Sequence, residues 1–416
     1  MESCLKLRDW ILVLMAVLAL AADLPARASH AVASSGGMLA TGMHSDRLAW
    51  QHFANLVAPV ARGRVEFETW ASDEDIYTET PAWPGEAALA KRRLRKSVLQ
   101  RLLAPHGSEP QAGDGDCGTV ADAAAGNFPV QAGPAGQAPC FAEEVRRNRA
   151  TYRYIVQNQL HTQAGLAGAY QKAQGGWRVS LPEEAVQVKA SWVPLDTLAA
   201  WLARNGVRLS AAQVRAEFYT TAAGGKRYAL VAMHLSSKDA PNWVWASFEH
   251  RLNPGRCDTT GCNDSYGAAK RRVAPLAGAQ NRQYAGCAKT APLKKLLEVK
   301  RVAAEWNNYC LKASEIAFVA RDGTPLMHGN SFTERVAGGI ALKRSSCISC
   351  HASAGFGREG RPYTKQLTAF PMGTVKLPAD IVANDFIWGI LTINAVPAEQ
   401  ASTPNNLDRT RITARR

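Results

Sequence analysis

Five consecutive residues, Cys347-Ile348-Ser349-Cys350-His351, carry the chemistry of this sequence. Two cysteines three positions apart fall on one side of a helical turn. That separation matches the two vinyl groups of a porphyrin, to which thiols add, and the histidine one place on turns over the ring as proximal iron ligand. The pattern predicts one covalent haem c per chain, held by Cys347 and Cys350 and ligated by His351. Two other chemistries share the C-x-x-C pair. A thioredoxin-like dithiol needs a buried strand running into a long helix, which neither Ser345-Ser346 nor Ala352-Ser353-Ala354-Gly355 suggests. A zinc site needs further ligands, and the chain has no second C-x-x-C.

The sixth iron position decides what a haem does, because two strong protein ligands favour electron transfer and an open face admits peroxide, oxygen or a substrate. Met372, in Phe370-Pro371-Met372-Gly373-Thr374, is the first candidate, since the chain after His351 is long enough to round a haem edge. Its competing reading is a core methionine beneath the haem loop. His234 and His250 are rivals beside aromatic strands, although a lone strand histidine is more often hydrogen-bonded in or at the edge of a core. Met327-His328 is a further pair to consider.

The remaining cysteines depend on compartment. Lys6 and Arg8 precede an apolar stretch at 11–22 that ends in Ala26-Arg27-Ala28, the pattern of a cleaved secretory signal over residues 1–28. No apolar run reaches the roughly 20 residues of a spanning helix, so stable membrane insertion is not expected. The chain is read as exported and soluble, periplasmic in a bacterium. Cys4 leaves with the signal, and Cys117, Cys140, Cys257, Cys262, Cys287 and Cys310 are then expected to form disulfides. Cys257 with Cys262 would close a short loop and Cys117 with Cys140 a Gly/Ala-rich one, but six cysteines allow fifteen pairings.

The 416 residues carry a net charge of +14, enough chain for two domains. Basic clusters at 91–96, 270–272 and 409–416 suit an acidic redox protein as partner, with a solvated surface as the plain alternative. No nucleic-acid motif accompanies the charge. Oligomeric state is not legible.

The elements that must position the motif read as α+β: a β-rich body with flanking helices over 29–330, a haem segment over 331–397 and a tail over 398–416. Helical periodicity covers 48–56, 85–103, 141–171, 195–204 and 292–311. Strand patterns cover 64–70, 186–193, 227–236, 243–248 and 315–321, and residues 105–139 read as a long loop. Period two puts Trp243 and Trp245 on one face, where core packing is favoured over binding a ring-shaped ligand.

Around 339–391 the chain resembles c-type cytochromes, with Gly339 and Leu342 placed as in the helix before their haem motif and Lys343 where many carry an aromatic residue. More widely, Trp50-Gln51-His52-Phe53, Phe67-Glu68-Thr69-Trp70, Lys189-Ala190-Ser191-Trp192, Leu230-Val231-Ala232-Met233-His234, Trp243-Val244-Trp245-Ala246-Ser247-Phe248-Glu249-His250 and Gly329-Asn330-Ser331 are similar to segments of large exported bacterial proteins containing a cytochrome c domain. The resemblance implies haem and export and leaves the substrate open. Electron transfer is the leading expectation. A haem-dependent peroxidase or substrate oxidase with an open iron site, and a haem-based redox or gas sensor, are the alternatives. A single C-x-x-C-H does not fit the di-haem peroxidase pattern.

Overall fold

The computed structural model describes residues 38–90, 142–204, 206–223, 225–253, 255–275, 287–334, 342–369 and 371–394. The contacts divide the chain into Met1–Leu39 and Ala40–Arg416, and the architecture below is that of the second unit. The expected signal at 1–28, the basic run at 91–96, the loop at 105–139 with Cys117 and Cys140, Gly339 and the tail at 398–416 lie outside the described residues.

The fold is α+β. Its strands are β1 (Ala71–Ser72), β2 (Ala142–Arg147), β3 (Val186–Pro194), β4 (Thr220–Ala223), β5 (Lys226–Ser237), β6 (Val244–His250), β7 (Cys262–Asn263), β8 (Arg272–Val273), β9 (Tyr309–Glu315), β10 (Gly355–Phe356) and β11 (Val382–Ala383). A seven-stranded sheet runs β1-β2-β3-β5-β6-β9, with β4 paired to β5, and its pairs are antiparallel. β7 with β8 and β10 with β11 form separate two-stranded ribbons.

Alternation along the strands gives this sheet two unlike faces. One row of cross-strand partners is Ala190, Met233 and Phe248, and the next is Val188, Leu235 and Ala246. Both rows join the main core, where Phe53 of the helix Met38–Leu56 stacks on Phe248 at 4.5 Å between ring centroids and Trp50 meets it edge-on. The interleaved rows are polar: Arg147, Gln187, Ser236, Trp245 and Glu315 across five strands, then Val145, Lys189, His234 and Ser247. A soluble sheet normally gives such a face to water. Here it is covered by a second cluster containing Trp243, Trp245, Ile348, Ile387 and Ile390.

The helix Leu195–Arg204 and the central strands fall where the periodicity put them. Residues 64–70 do not form a strand. They form the 3-10 turn Glu66–Thr69, because Glu68 accepts the Val65 amide at 3.2 Å and Glu66 accepts Trp70 Nε1 at 3.0 Å, giving the backbone a local alternative to a ladder. The helix expected over 141–171 begins with β2 instead: the helix formers of Ala-Glu-Glu-Val-Arg-Arg are overridden by pairing with β3, and helices Arg149–Gln157 and Gln163–Gln174 follow. Helix 292–311 is shorter than its pattern. It is Ala291–Val299, followed by Arg301 in the left-handed region at φ 55° and by the 3-10 turn Ala304–Asn308, after which Tyr309 enters β9. The strand expected at 315–321 does not form: β9 ends at Glu315, and beyond it Val319 makes only an isolated bridge to Pro325.

Cys257 pairs with Cys262, as the short loop suggested, and Cys287 pairs with Cys310. Cys347 and Cys350 are the free cysteines among the described residues. No helix among the described residues is long and apolar enough to cross a membrane.

Candidate functional site

The C-x-x-C-H sequence forms the short helix Cys347–Ala352, fixed on several sides. Ser346 is its N-cap, accepting the Ser349 amide at 3.4 Å, and Glu315 at the end of β9 accepts the Ile348 amide at 2.9 Å. A carboxylate at this end also complements the helix dipole. Ile348 is buried in the second cluster, Ser349 Oγ donates to the Gly373 carbonyl at 2.8 Å, and Trp388 Nε1 donates to the Cys350 carbonyl at 3.1 Å. With these groups anchored, Cys347, Cys350 and His351 line a common cavity.

Burial pushes the Cys350 thiol up to about 11 and Cys347 well above its usual range. Such thiols stay protonated, unlike the low-pKa thiolates of dithiol redox sites. Burial pushes His351 down to about 4, so its imidazole is neutral. Its Nδ1 lies 2.8 Å from the Phe386 carbonyl. A carbonyl only accepts, which puts the ring proton on Nδ1 and the lone pair on Nε2. Two free thiols one turn apart and a neutral imidazole with a committed tautomer are the donor set that covalent haem requires, and the residues fit that group.

The support of His351 is built from strained backbone. Asp385 and Phe386 both have positive φ, 43° and 68°, as does Trp243 at 63°. Non-glycine residues hold such conformations only where their surroundings impose them. Asp385 imposes this one, since its carboxylate accepts from Leu181 N at 2.7 Å, Lys238 Nζ at 2.5 Å and Trp243 Nε1 at 3.2 Å. Those bonds aim the Phe386 carbonyl at His351. Trp245 completes the seat, its ring 4.5 Å from the imidazole.

The cavity lies between this helix and the polar sheet face and contains about 1230 Å³ of space, part of it open to solvent. Its walls are charged in pairs. Lys189 bonds Glu143 at 2.8 Å, Arg147 is ion-paired with Asp73, and His234 Nε2 meets Glu334 at 3.0 Å. Burial pushes Arg147 down to about 9. Burial alone would raise Glu334, but His234, Lys189 and the Asn330 amide overrule it and hold the carboxyl at about 2.

Met372 is 42% exposed and does not line the cavity, whereas His234 does. His250 lies elsewhere with both ring nitrogens engaged, Nε2 on the Glu217 carbonyl at 3.0 Å and Nδ1 on the Leu252 amide at 3.2 Å, and stacks on Phe218. His328 contacts Glu315 at 3.2 Å. Trp243 and Trp245 share the second cluster, as expected of core tryptophans, but Trp245 also faces the cavity. Sequence reasoning gave no site role to Lys189, Glu143, Arg147, Glu334 or Asp385, and it favoured core packing for Trp245. A signal existed for three: Glu143, Arg147 and Lys189 are charged residues at period two in segments that pair as strands.

Comparison with protein-family models, with curated proteins and with solved structures finds no match to this chain.

Proposed function

We propose that this chain is a mono-haem c-type cytochrome protein that passes single electrons through one haem held by Cys347 and Cys350. The observation that carries the reading is the committed tautomer of His351: Nδ1–H on the Phe386 carbonyl leaves the Nε2 lone pair for a metal, beside two protonated free thiols in one cavity. A haem bound there supplies an iron that alternates between Fe(II) and Fe(III). The chain's residues do the rest. Trp245 and the Phe386 carbonyl orient the imidazole, Ser346 and Glu315 hold the helix that carries the thiols, and the second apolar cluster limits water around it.

Export belongs to the same reading, since the pairing of Cys257 with Cys262 and of Cys287 with Cys310 suits an oxidising compartment. The partner is an acidic redox protein, and exposed Lys270, Arg271 and Arg272 are a basic surface for it. One observation favours a second reading, a haem-dependent oxidoreductase or sensor: the cavity wall bears two ion pairs and a histidine–carboxylate pair, more polarity than a simple carrier needs.

The test is potentiometric titration of protein matured with haem in an export-competent host. A reversible one-electron Nernst curve with a thioether-haem spectrum is expected. A chain that returns without haem, or whose haem does not cycle reversibly, contradicts the proposal.

A further inference from the structure

His234 mirrors His351 across the polar face. It lies on β5, directly opposite Lys189 on β3 and Ser247 on β6. Two residues along β5, Ser236 pairs with Trp245, whose ring packs on His351. Residues two apart on a strand share a face and stand roughly 7 Å apart. His234 is therefore one rung and one strand away from the seat of His351, pointing to the same side of the sheet, and both line the cavity.

Like His351, His234 has one nitrogen committed to oxygen. Its Nε2 lies 3.0 and 3.2 Å from the two Glu334 carboxylate oxygens. An ionised carboxylate accepts only, so Nε2 carries a proton, and Nδ1 is the nitrogen left to offer a lone pair once it has no proton of its own. Asn330 Nδ2 also approaches Nε2, at the longer distance of 3.3 Å. Nδ1 has no hydrogen bond among the described residues.

Glu334 is held in place by the segment 329–333, whose Phe332 packs into a third apolar cluster. Asn330 N donates to Glu334 Oε2 at 2.5 Å, and Asn330 Oδ1 accepts from the amides of Phe332 and Thr333. Lys312 Nζ donates to the Gly329 carbonyl at 2.5 Å, Ser331 bonds Glu249 through its amide and its hydroxyl, and Thr333 meets Ser191 on β3 at 2.9 Å. Ser331 and Asn330 are fully buried. These bonds anchor the segment to the sheet, and the Asn330 amide fixes Glu334 behind the imidazole, as carboxylates stand behind metal-bound histidines.

We infer that His234, oriented by Glu334, is the second protein ligand of the haem iron, through Nδ1. This rests on the haem reading above and goes beyond it by closing the sixth position and setting Met372 aside. The pair Nε2–H and carboxylate makes the ligand more electron-rich, which stabilises Fe(III). The site is then an electron-transfer centre.

The experiment uses full-length protein matured with haem, studied by absorption and electron paramagnetic resonance with and without carbon monoxide. The wild type is expected to be low-spin in both oxidation states and to show no carbon monoxide difference spectrum. His234→Ala is expected to become high-spin when reduced, to bind carbon monoxide, and to return to a low-spin spectrum on adding imidazole. Glu334→Gln, which keeps the shape and loses the charge, is expected to stay low-spin with a higher midpoint potential. A wild type that binds carbon monoxide promptly overturns the assignment, even if the variants fail to fold. So does a His234→Ala spectrum identical to the wild type. A chain that carries no covalent haem by mass contradicts the reading beneath, and is thereby told apart from a haem-bearing chain with a different sixth ligand.

Discussion

At the scale of residues, the structure separates histidines that are packed from histidines that are presented. His250 has both nitrogens bonded and is pushed down to about 3 by burial, below its unfolded value of 6.5. The folded state thus binds its proton later than the unfolded chain, so the stability from keeping it neutral is full above pH 6.5 and is lost as pH falls toward 3. Unfolding free energy should decline by about 1.4 kcal/mol per pH unit through that window from this group, and His250→Gln should flatten the profile measured by urea titration. Asp385 gives a second prediction. Its carboxylate serves Lys238, Trp243 and Leu181, so Asp385→Ala should destabilise the fold by about 3 kcal/mol, whereas loss below about 1 kcal/mol would mean that these bonds do not hold the Phe386 loop. The grouping of Cys347, Cys350 and His351 was legible because the three lie within one five-residue motif. Asp385 was not, since its partners lie 142, 147 and 204 residues away in sequence.

At the scale of elements, a six-residue helix is too short to persist alone, and its caps carry a large share of its order. Ser346→Ala removes the N-cap and should cost about 1 kcal/mol in thermal or urea unfolding. An effect near zero would show that Glu315 alone holds the helix start. The turn Trp388–Asn394 is equally constrained, because a Cβ on Gly389 would sit 2.3 Å from the Tyr77 ring, so Gly389→Ala should lower the melting temperature by several degrees. The long central strands were legible from their β-branched and aromatic residues. β2 was not, because its residues favour a helix and pairing with β1 and β3 makes them a strand. The turn at 66–69 was hidden for a related reason: side chains that bond their own backbone leave no trace in periodicity.

At the scale of the molecule, an antiparallel sheet buries an apolar face under one core and a charged face under another, and the second holds the two thiols and two oriented imidazoles. The α+β class was readable from the mixture of patterns, while the covering of the polar face was not, because it depends on residues 342–394 folding back over strands far earlier in the chain. If the basic surface docks an acidic partner, the second-order rate of electron transfer should fall as salt rises from low to about 0.5 M, where the Debye length is a few ångströms. A salt-independent rate would remove charge from the docking account. The central claim is the covalent haem, and the most direct measurement is the intact mass, under denaturing conditions, of protein matured in an export-competent host. The account predicts a chain heavier by one haem that resists acid extraction, and the same chain without that increment when Cys347 and Cys350 are both replaced by Ala. An unmodified mass for the wild-type chain, or a haem that persists in the double variant, would contradict it.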